Sequence, residues 1–292
     1  MRALLALIAL ALLGAGAFWV LSAPDALDSA TAQAMDTPGD AKAGELVFWA
    51  GGCAACHAKA EAPTQLGGGA ALKTPFGPIY APNISPDPED GLGKWSAQDF
   101  ARALYKGVDD EDVHLYPAFP YTSYRRMSVT DARDLWAFLR TLSPVKGDAP
   151  PPGFGFPFNI RRTVGIWKQL YLPAVTPSAP LAASDDAAFG RYLVWGAGHC
   201  GECHTPRDFL GGTVSAKALT GAPMPDGKGK SPDISPAGLA KWSQDDIETA
   251  LTLGIKPDGD LLSGAMAEVV RNLDHLPKEY ITAIARYLKT GG

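Results

Sequence analysis

Cys53-Ala54-Ala55-Cys56-His57 and Cys200-Gly201-Glu202-Cys203-His204 decide how this chain is read. The two pentads take up all four cysteines of the 292-residue sequence, and a histidine follows each pair at once. C-x-x-C-H is the pattern of covalent haem attachment. Two thiols three residues apart on one helical turn reach the two vinyl groups of a porphyrin, and the next residue presents its imidazole to the iron. Structural zinc also uses C-x-x-C pairs, but such a site would pool both pairs and leave the histidines unexplained. A thioredoxin-like redox pair belongs in a βαβ setting, which surrounds neither motif. The expectation is two covalent haem c groups, one on Cys53 and Cys56, the other on Cys200 and Cys203. His57 and His204 are the expected proximal iron ligands.

Outward from the motifs the chain repeats itself. Gly44-Glu45-Leu46-Val47-Phe48-Trp49 resembles Gly190-Arg191-Tyr192-Leu193-Val194-Trp195. Asn83-Ile84-Ser85-Pro86 resembles Asp233-Ile234-Ser235-Pro236, and Lys94-Trp95-Ser96 recurs as Lys241-Trp242-Ser243. Lys94 and Lys241 lie 147 residues apart, as do Cys53 and Cys200. An amphipathic helix follows in each copy, with Phe100, Leu104 and Val108 matching Ile247, Leu251 and Ile255. Each copy closes on a further helix, 130–141 and 277–289. Ser128 or Thr130 would cap the first, and Pro277 suits the first turn of the second. The loops 62–93 and 205–240 are too long to stand unsupported in a compact domain. A haem supplies the core they otherwise lack; Trp95 and Trp242 read as haem-pocket or core residues, core packing being preferred.

The expected fold is all-α, two tandem domains after an N-terminal hydrophobic helix. The boundaries read from the sequence are 1–24 for a membrane anchor or signal segment, 25–41 for a tether, 42–143 for domain 1, 144–182 for a connector and 183–292 for domain 2. The connector is rich in Pro and Gly yet carries Phe154, Phe156, Phe158, Ile160, Ile166, Trp167, Leu170 and Tyr171. Such a linker is expected to pack across both domains and fix the distance between the haems.

Met1-Arg2 precedes an almost unbroken apolar run from Ala3 to Leu21. This is an export signal with a positive start, as long as a membrane-spanning helix. Ala15-Gly16-Ala17 is followed by bulky Phe18 and Trp19, and Ala23 by Pro24, so no clean cleavage site is visible. Trp19 suits an interfacial position. An uncleaved anchor is the preferred reading and a cleaved signal the alternative; both place the body outside the cytoplasm. With 46% hydrophobic and 20% charged residues the chain is globular. Its net charge of −5 provides no basic excess to neutralise phosphates, which argues against a nucleic-acid partner.

Further stretches carry a family resemblance. They are Asn83-Ile84-Ser85-Pro86-Asp87 with Gly91-Leu92-Gly93-Lys94-Trp95-Ser96, Leu115-Tyr116-Pro117-Ala118-Phe119-Pro120-Tyr121, Phe156-Pro157-Phe158-Asn159-Ile160-Arg161, and Gly198-His199 through Thr205-Pro206-Arg207 around the second motif. Together with the two pentads, over roughly residues 42–290, they resemble the multihaem cytochrome c subunits of periplasmic dehydrogenases acting on alcohols, gluconate or aldehydes. The resemblance implies tandem class I cytochrome c-like domains and electron transfer without catalysis by this chain. It implies a periplasmic dehydrogenase catalytic subunit as donor, and a respiratory cytochrome, oxidase or quinone-linked acceptor. In that family the substrate is oxidised by a separate subunit, so the substrate stays open.

The family's usual sixth iron ligand is methionine, a soft thioether that raises the potential. Met266, in Ser263-Gly264-Ala265-Met266, lies 62 residues after His204 in the loop before the closing helix. The same count from His57 lands on Phe119, in a stretch where the family often has Tyr-Pro-Ala-Met-Pro-Tyr. Three readings stand for haem 1: Met127, which is preferred, His114, or an open position. Met224 comes too early in domain 2 and reads as packing. An open haem 1 beside Phe119, with Tyr116, Tyr121, Arg125 and Arg126 nearby, would instead suit a peroxidase-like or thiosulfate-oxidising enzyme. No Ser/His/Asp set, P-loop or metal-carboxylate cluster is visible elsewhere, and the carrier reading is preferred.

Overall fold

The computed structural model describes residues 1–172, 186–224, 227 and 229–291. The last part of the connector, 173–182, and the boundary at 183 lie outside the described residues. The fold is mostly helical, led by an apolar helix α1 (Arg2–Leu21) with no buried residue. The first copy of the repeat comprises α2 (Ser29–Met35), α3 (Ala41–Ala50), α4 (Cys53–His57), the hairpin strands β1 (Ala71–Thr74) and β2 (Gly77–Tyr80), α5 (Ala97–Lys106), α6 (Tyr121–Tyr124) and α7 (Val129–Leu139). Helix α8 (Thr163–Tyr171) lies in the connector. The second copy comprises α9 (Asp186–Trp195), α10 (Cys200–His204), strands β3 (Ala222–Pro223) and β4 (Lys230–Ser231), α11 (Gln244–Leu253), α12 (Ala265–Leu273) and α13 (Lys278–Thr290).

The same local chemistry builds both copies. Ser96 and Asp99 form a capping box at α5, and Ser243 and Asp246 form its counterpart at α11. Both helices stop at a left-handed glycine, Gly107 with φ 59° and Gly254 with φ 69°. Ser128 caps α7 by accepting from the Asp131 N–H. In each copy a first helix crosses the closing helix at a glycine. A Cβ at Gly44 would overlap the backbone of Asp134 on α7, and one at Gly190 would overlap the carbonyl of Ala283 on α13. Phe48, Leu104, Leu135 and Phe138 fill the first copy, and Val194, Ile247, Ile284 and Leu288 the second, within one continuous buried cluster.

Three expectations change. The stretch 25–41 is not a tether: Asp28 caps α2, whose Thr31 and Met35 are buried, and the Asp40 N–H donates to Asp134 Oδ1 at 2.9 Å. Its composition is linker-like, but the side chains that pack are few and well placed. The fold is not purely helical either, because the long loops fold back as β1–β2, with Ala71 opposite Tyr80, and β3–β4, with Ala222 opposite Ser231. The connector does not bury all its apolar residues: Phe156, Phe158, Ile160 and Leu170 are exposed.

Helix α8 covers the first copy asymmetrically. Lys168 Nζ donates to the carbonyls of Lys106 and Gly107 at the end of α5, at 2.6 and 2.7 Å. Among the described residues nothing equivalent covers the end of α11, where Leu253, Ile255 and Leu261 stand exposed.

Candidate functional site

Each cysteine pair sits on a single helical turn entered through a left-handed residue, Gly52 with φ 58° before α4 and His199 with φ 38° before α10. The histidine that ends each turn is held identically. His57 Nδ1 lies 2.7 Å from the Pro82 carbonyl, and His204 Nδ1 lies 2.8 Å from the Pro232 carbonyl. A carbonyl only accepts, so Nδ1 carries the proton and Nε2 keeps its lone pair. That is the tautomer an iron ligand needs. Burial lowers both imidazole pKa values and favours the neutral, ligating form.

Burial pushes the Cys53 and Cys200 thiols up to about 12, and raises Cys56 and Cys203 as well. None of the four forms a disulfide. Among the described residues no His/Cys/Asp/Glu group converges on a metal-sized site, so the two pairs are not pooled as zinc would require. Paired thiols on one turn, followed by an imidazole with a bare Nε2, fit covalent haem. Among the described residues, Tyr121 Oη and Arg125 Nε and Nη1 are also buried without a hydrogen-bond partner.

The two attachment turns meet. The Gly51 carbonyl, just before the first turn, accepts from Tyr124 Oη at 3.1 Å, and His199 Nε2, just before the second, lies 3.2 Å from the same oxygen. The Tyr124 ring stands edge-on to His199, with centroids 5.6 Å apart. Thr122 and Ser123 on α6 donate to Glu202 Oε1 inside the second turn, at 2.5 and 2.8 Å. Burial opposes ionisation of Glu202, yet Arg207 and the two hydroxyls hold its carboxyl below the usual range. Reciprocally, α12 packs against α3 and α4. Each copy thus sets the helix before its closing helix against the other copy's attachment turn.

The remaining sequence candidates fall in different places. Met127 is 1% exposed, packed against Gly196 of the second copy. Met266 lies in the first turn of α12, not in the loop expected from the sequence, and is half-buried against the core. Phe119 packs on Tyr124 at 5.4 Å. His114 is engaged at both ring nitrogens: Nε2 lies 2.9 Å from the Ser22 carbonyl and Nδ1 2.9 Å from Lys168 Nζ. Trp95 and Trp242 pack against the core, and Met224 Sδ accepts from the Ser231 hydroxyl at 3.3 Å. Sequence reasoning missed Pro82, Pro232, Tyr124 and Glu202. The repeat carried a signal for the prolines, since each directly precedes the matched Asn83-Ile84-Ser85 or Asp233-Ile234-Ser235.

Residues 41–143 match the sequence family described as cytochrome c. Over 256 residues the chain is 48% identical to a diheme cytochrome c-type protein of Cereibacter sphaeroides, covering 86% of each chain. It is 37% identical over 260 residues to the cytochrome c subunit of a quinone-type alcohol dehydrogenase of Gluconobacter oxydans, covering 85% of this chain and 54% of that one. It is 39% identical over 285 residues to a gluconate 2-dehydrogenase cytochrome c subunit of Pantoea cypripedii, covering 90% of this chain and 63% of that one. The chain therefore spans only part of these dehydrogenase subunits. Its likeness to the first relative runs along most of both chains, and on that ground this protein belongs to the dihaem c-type cytochromes, electron-transfer proteins with two covalently bound haem c groups.

Proposed function

We propose that this chain relays electrons from a periplasmic dehydrogenase to a respiratory acceptor, as an electron carrier with no substrate chemistry of its own. In this reading residues 42–143 and 183–292 are tandem class I cytochrome c-like domains. Cys53 and Cys56 hold haem 1 with His57 as proximal ligand, and Cys200 and Cys203 hold haem 2 with His204. Met266 is the sixth ligand of haem 2 and Met127 that of haem 1. The haem supplies one-electron chemistry at the iron. The protein residues orient the ligands, exclude water and set the path between the two groups.

The single observation that carries the relay is the hydrogen bond joining the two attachment turns, His199 to the Gly51 carbonyl at 3.2 Å. Two electron sites anchored this closely exchange electrons within the molecule. Donation by a dehydrogenase is supported by the relatives named as cytochrome subunits of alcohol and gluconate dehydrogenases. Helix α1, apolar and unburied over 20 residues, would hold the body at the outer face of the cytoplasmic membrane. Respiration of membranes from the source organism tests the relay. Deleting this gene should abolish oxygen uptake driven by one or more of alcohols, sugars or sugar acids and leave NADH-driven uptake intact. Unchanged uptake with every such substrate would overturn it.

A further inference from the structure

We propose that Phe156, Phe158 and Ile160 of the connector, together with Trp19, seat in the headgroup region of the bilayer, so that the body lies against the membrane in one fixed orientation. This rests on the reading of α1 as a membrane anchor. At 1.5 Å per residue its 20 residues span about 30 Å, the thickness of the hydrocarbon layer.

The helix does not hand over to a free tether. Ser22, the first residue after it, is fully buried. Its hydroxyl accepts from Arg162 Nε at 2.9 Å, and its carbonyl lies 2.9 Å from His114 Nε2. Arg162 also donates to the Trp19 carbonyl at 2.7 Å, with its guanidinium 4.1 Å from the centre of the Trp19 ring. A Cβ at Gly165 would stand 2.6 Å from the Ser22 carbonyl, so α8 touches this junction backbone to backbone. Several directional contacts therefore fix the last turn of α1 to the start of α8.

That joint sets a depth. A tryptophan at the end of a spanning helix lies at the lipid–water boundary, and an arginine whose guanidinium stacks on its ring shares that level. Just upstream of Arg162 the chain displays Ile160 and Phe158, each 41% exposed, and Phe156, 81% exposed. The display is braced. The Phe158 ring lies 4.6 Å from Phe76, its carbonyl accepts from Tyr116 Oη at 2.7 Å, and Arg161 lies 4.2 Å over the Tyr116 ring. Exposed aromatics held rigidly beside the exit of an apolar helix make a surface that lipid would cover. Arg161 and Arg162 suit anionic headgroups.

The full-length holoprotein in vesicles of phosphatidylcholine and phosphatidylglycerol tests this. With all native cysteines in thioethers, a single introduced cysteine is the only free thiol for a nitroxide label. Phe156→Cys and Phe158→Cys report the seat, Leu13→Cys the depth of α1, and Leu261→Cys the open aqueous surface, all read with the haems reduced. The labels at 156 and 158 should be several-fold less accessible to a water-soluble nickel chelate than the label at 261, and more accessible to oxygen. If they match 261 while the label at 13 is buried, the anchor stands and the seat falls. If the label at 13 is also open to the chelate, both fall. Equal protection at 261 would overturn the fixed orientation.

Discussion

His199 and Gly51 are joined by a hydrogen bond of 3.2 Å, imidazole Nε2 to backbone carbonyl, that ties the entry of one haem-attachment turn to the entry of the other. Tyr124 Oη donates to the same carbonyl at 3.1 Å, so this oxygen has two donors. Tyr124→Phe or His199→Asn alone leaves it one partner, and each should cost about 0.5–1.5 kcal/mol. Asn is chosen because it tolerates the left-handed backbone at φ 38°. The double variant leaves a buried carbonyl unpaired and should lose a further 1–3 kcal/mol or so beyond the sum of the singles. Chemical denaturation of the holoproteins checks this; strict additivity would mean that the two donors do not share the oxygen.

Lys168 gives stability a pH dependence. Burial pulls its pKa from 10.5 down to about 7, although Nζ is surrounded by the carbonyls of Lys106 and Gly107 and by His114 Nδ1. The unfolded chain keeps this proton to its ordinary range and the folded chain only to about 7. Between those values the unfolded state binds more protons, so stability rises with pH. The slope should approach about 1.4 kcal/mol per pH unit, read from pH 7 to about 9.5, before tyrosines ionise. Lys168→Met should flatten it. A wild-type curve already flat across that window would show the ammonium to be retained throughout.

Much of this was legible because it is local. C-x-x-C-H needs five residues and recurs in the repeat; the capping boxes Ser96/Asp99 and Ser243/Asp246 are as local and recur too, but were not read from the sequence. What else escaped is set by distant partners. His114 reads as a ligand candidate by position, but its ring is spoken for by Ser22, 92 residues away, and Lys168, 54 residues away. Thr122 meets Glu202 across 80 residues. Helix α2 escaped because an Ala/Thr-rich segment shows no amphipathic period, and only burial of Thr31 and Met35 reveals its docking. The connector's aromatics were expected inside because composition cannot tell a core from a displayed surface.

Thioether attachment has a simple count. All four cysteines are free of disulfides, and each pair shares one turn. Denatured protein should retain haem absorbance at two haems per chain after acid-solvent extraction. Changing Cys53 and Cys56 together to Ala should halve that count and leave the second haem in place. A wild-type chain with one retained haem would contradict the assignment of both turns.

The sixth ligands are the assignments most open to experiment. Met266 occupies the repeat position held by Phe119 in the first copy, so the two irons cannot be ligated identically from that position. His114 has both nitrogens committed elsewhere, which leaves Met127, buried just before α7, or an open position; Met127 is the ligand proposed for haem 1. If both methionines bind, both ferric haems contribute a thioether-to-iron charge-transfer band in the near infrared. Met127→Ala should then remove half of that band, Met266→Ala the other half, and the two losses should add. Each variant should also lower the potential of one haem only, because loss of a thioether removes the ligand that raises it. A wild-type band of half intensity, unchanged by Met127→Ala, would exclude Met127. Ready uptake of carbon monoxide by ferrous haem 1 at neutral pH would then mark an open iron. Coupled to peroxide or thiosulfate turnover, that outcome would replace the carrier with an enzyme.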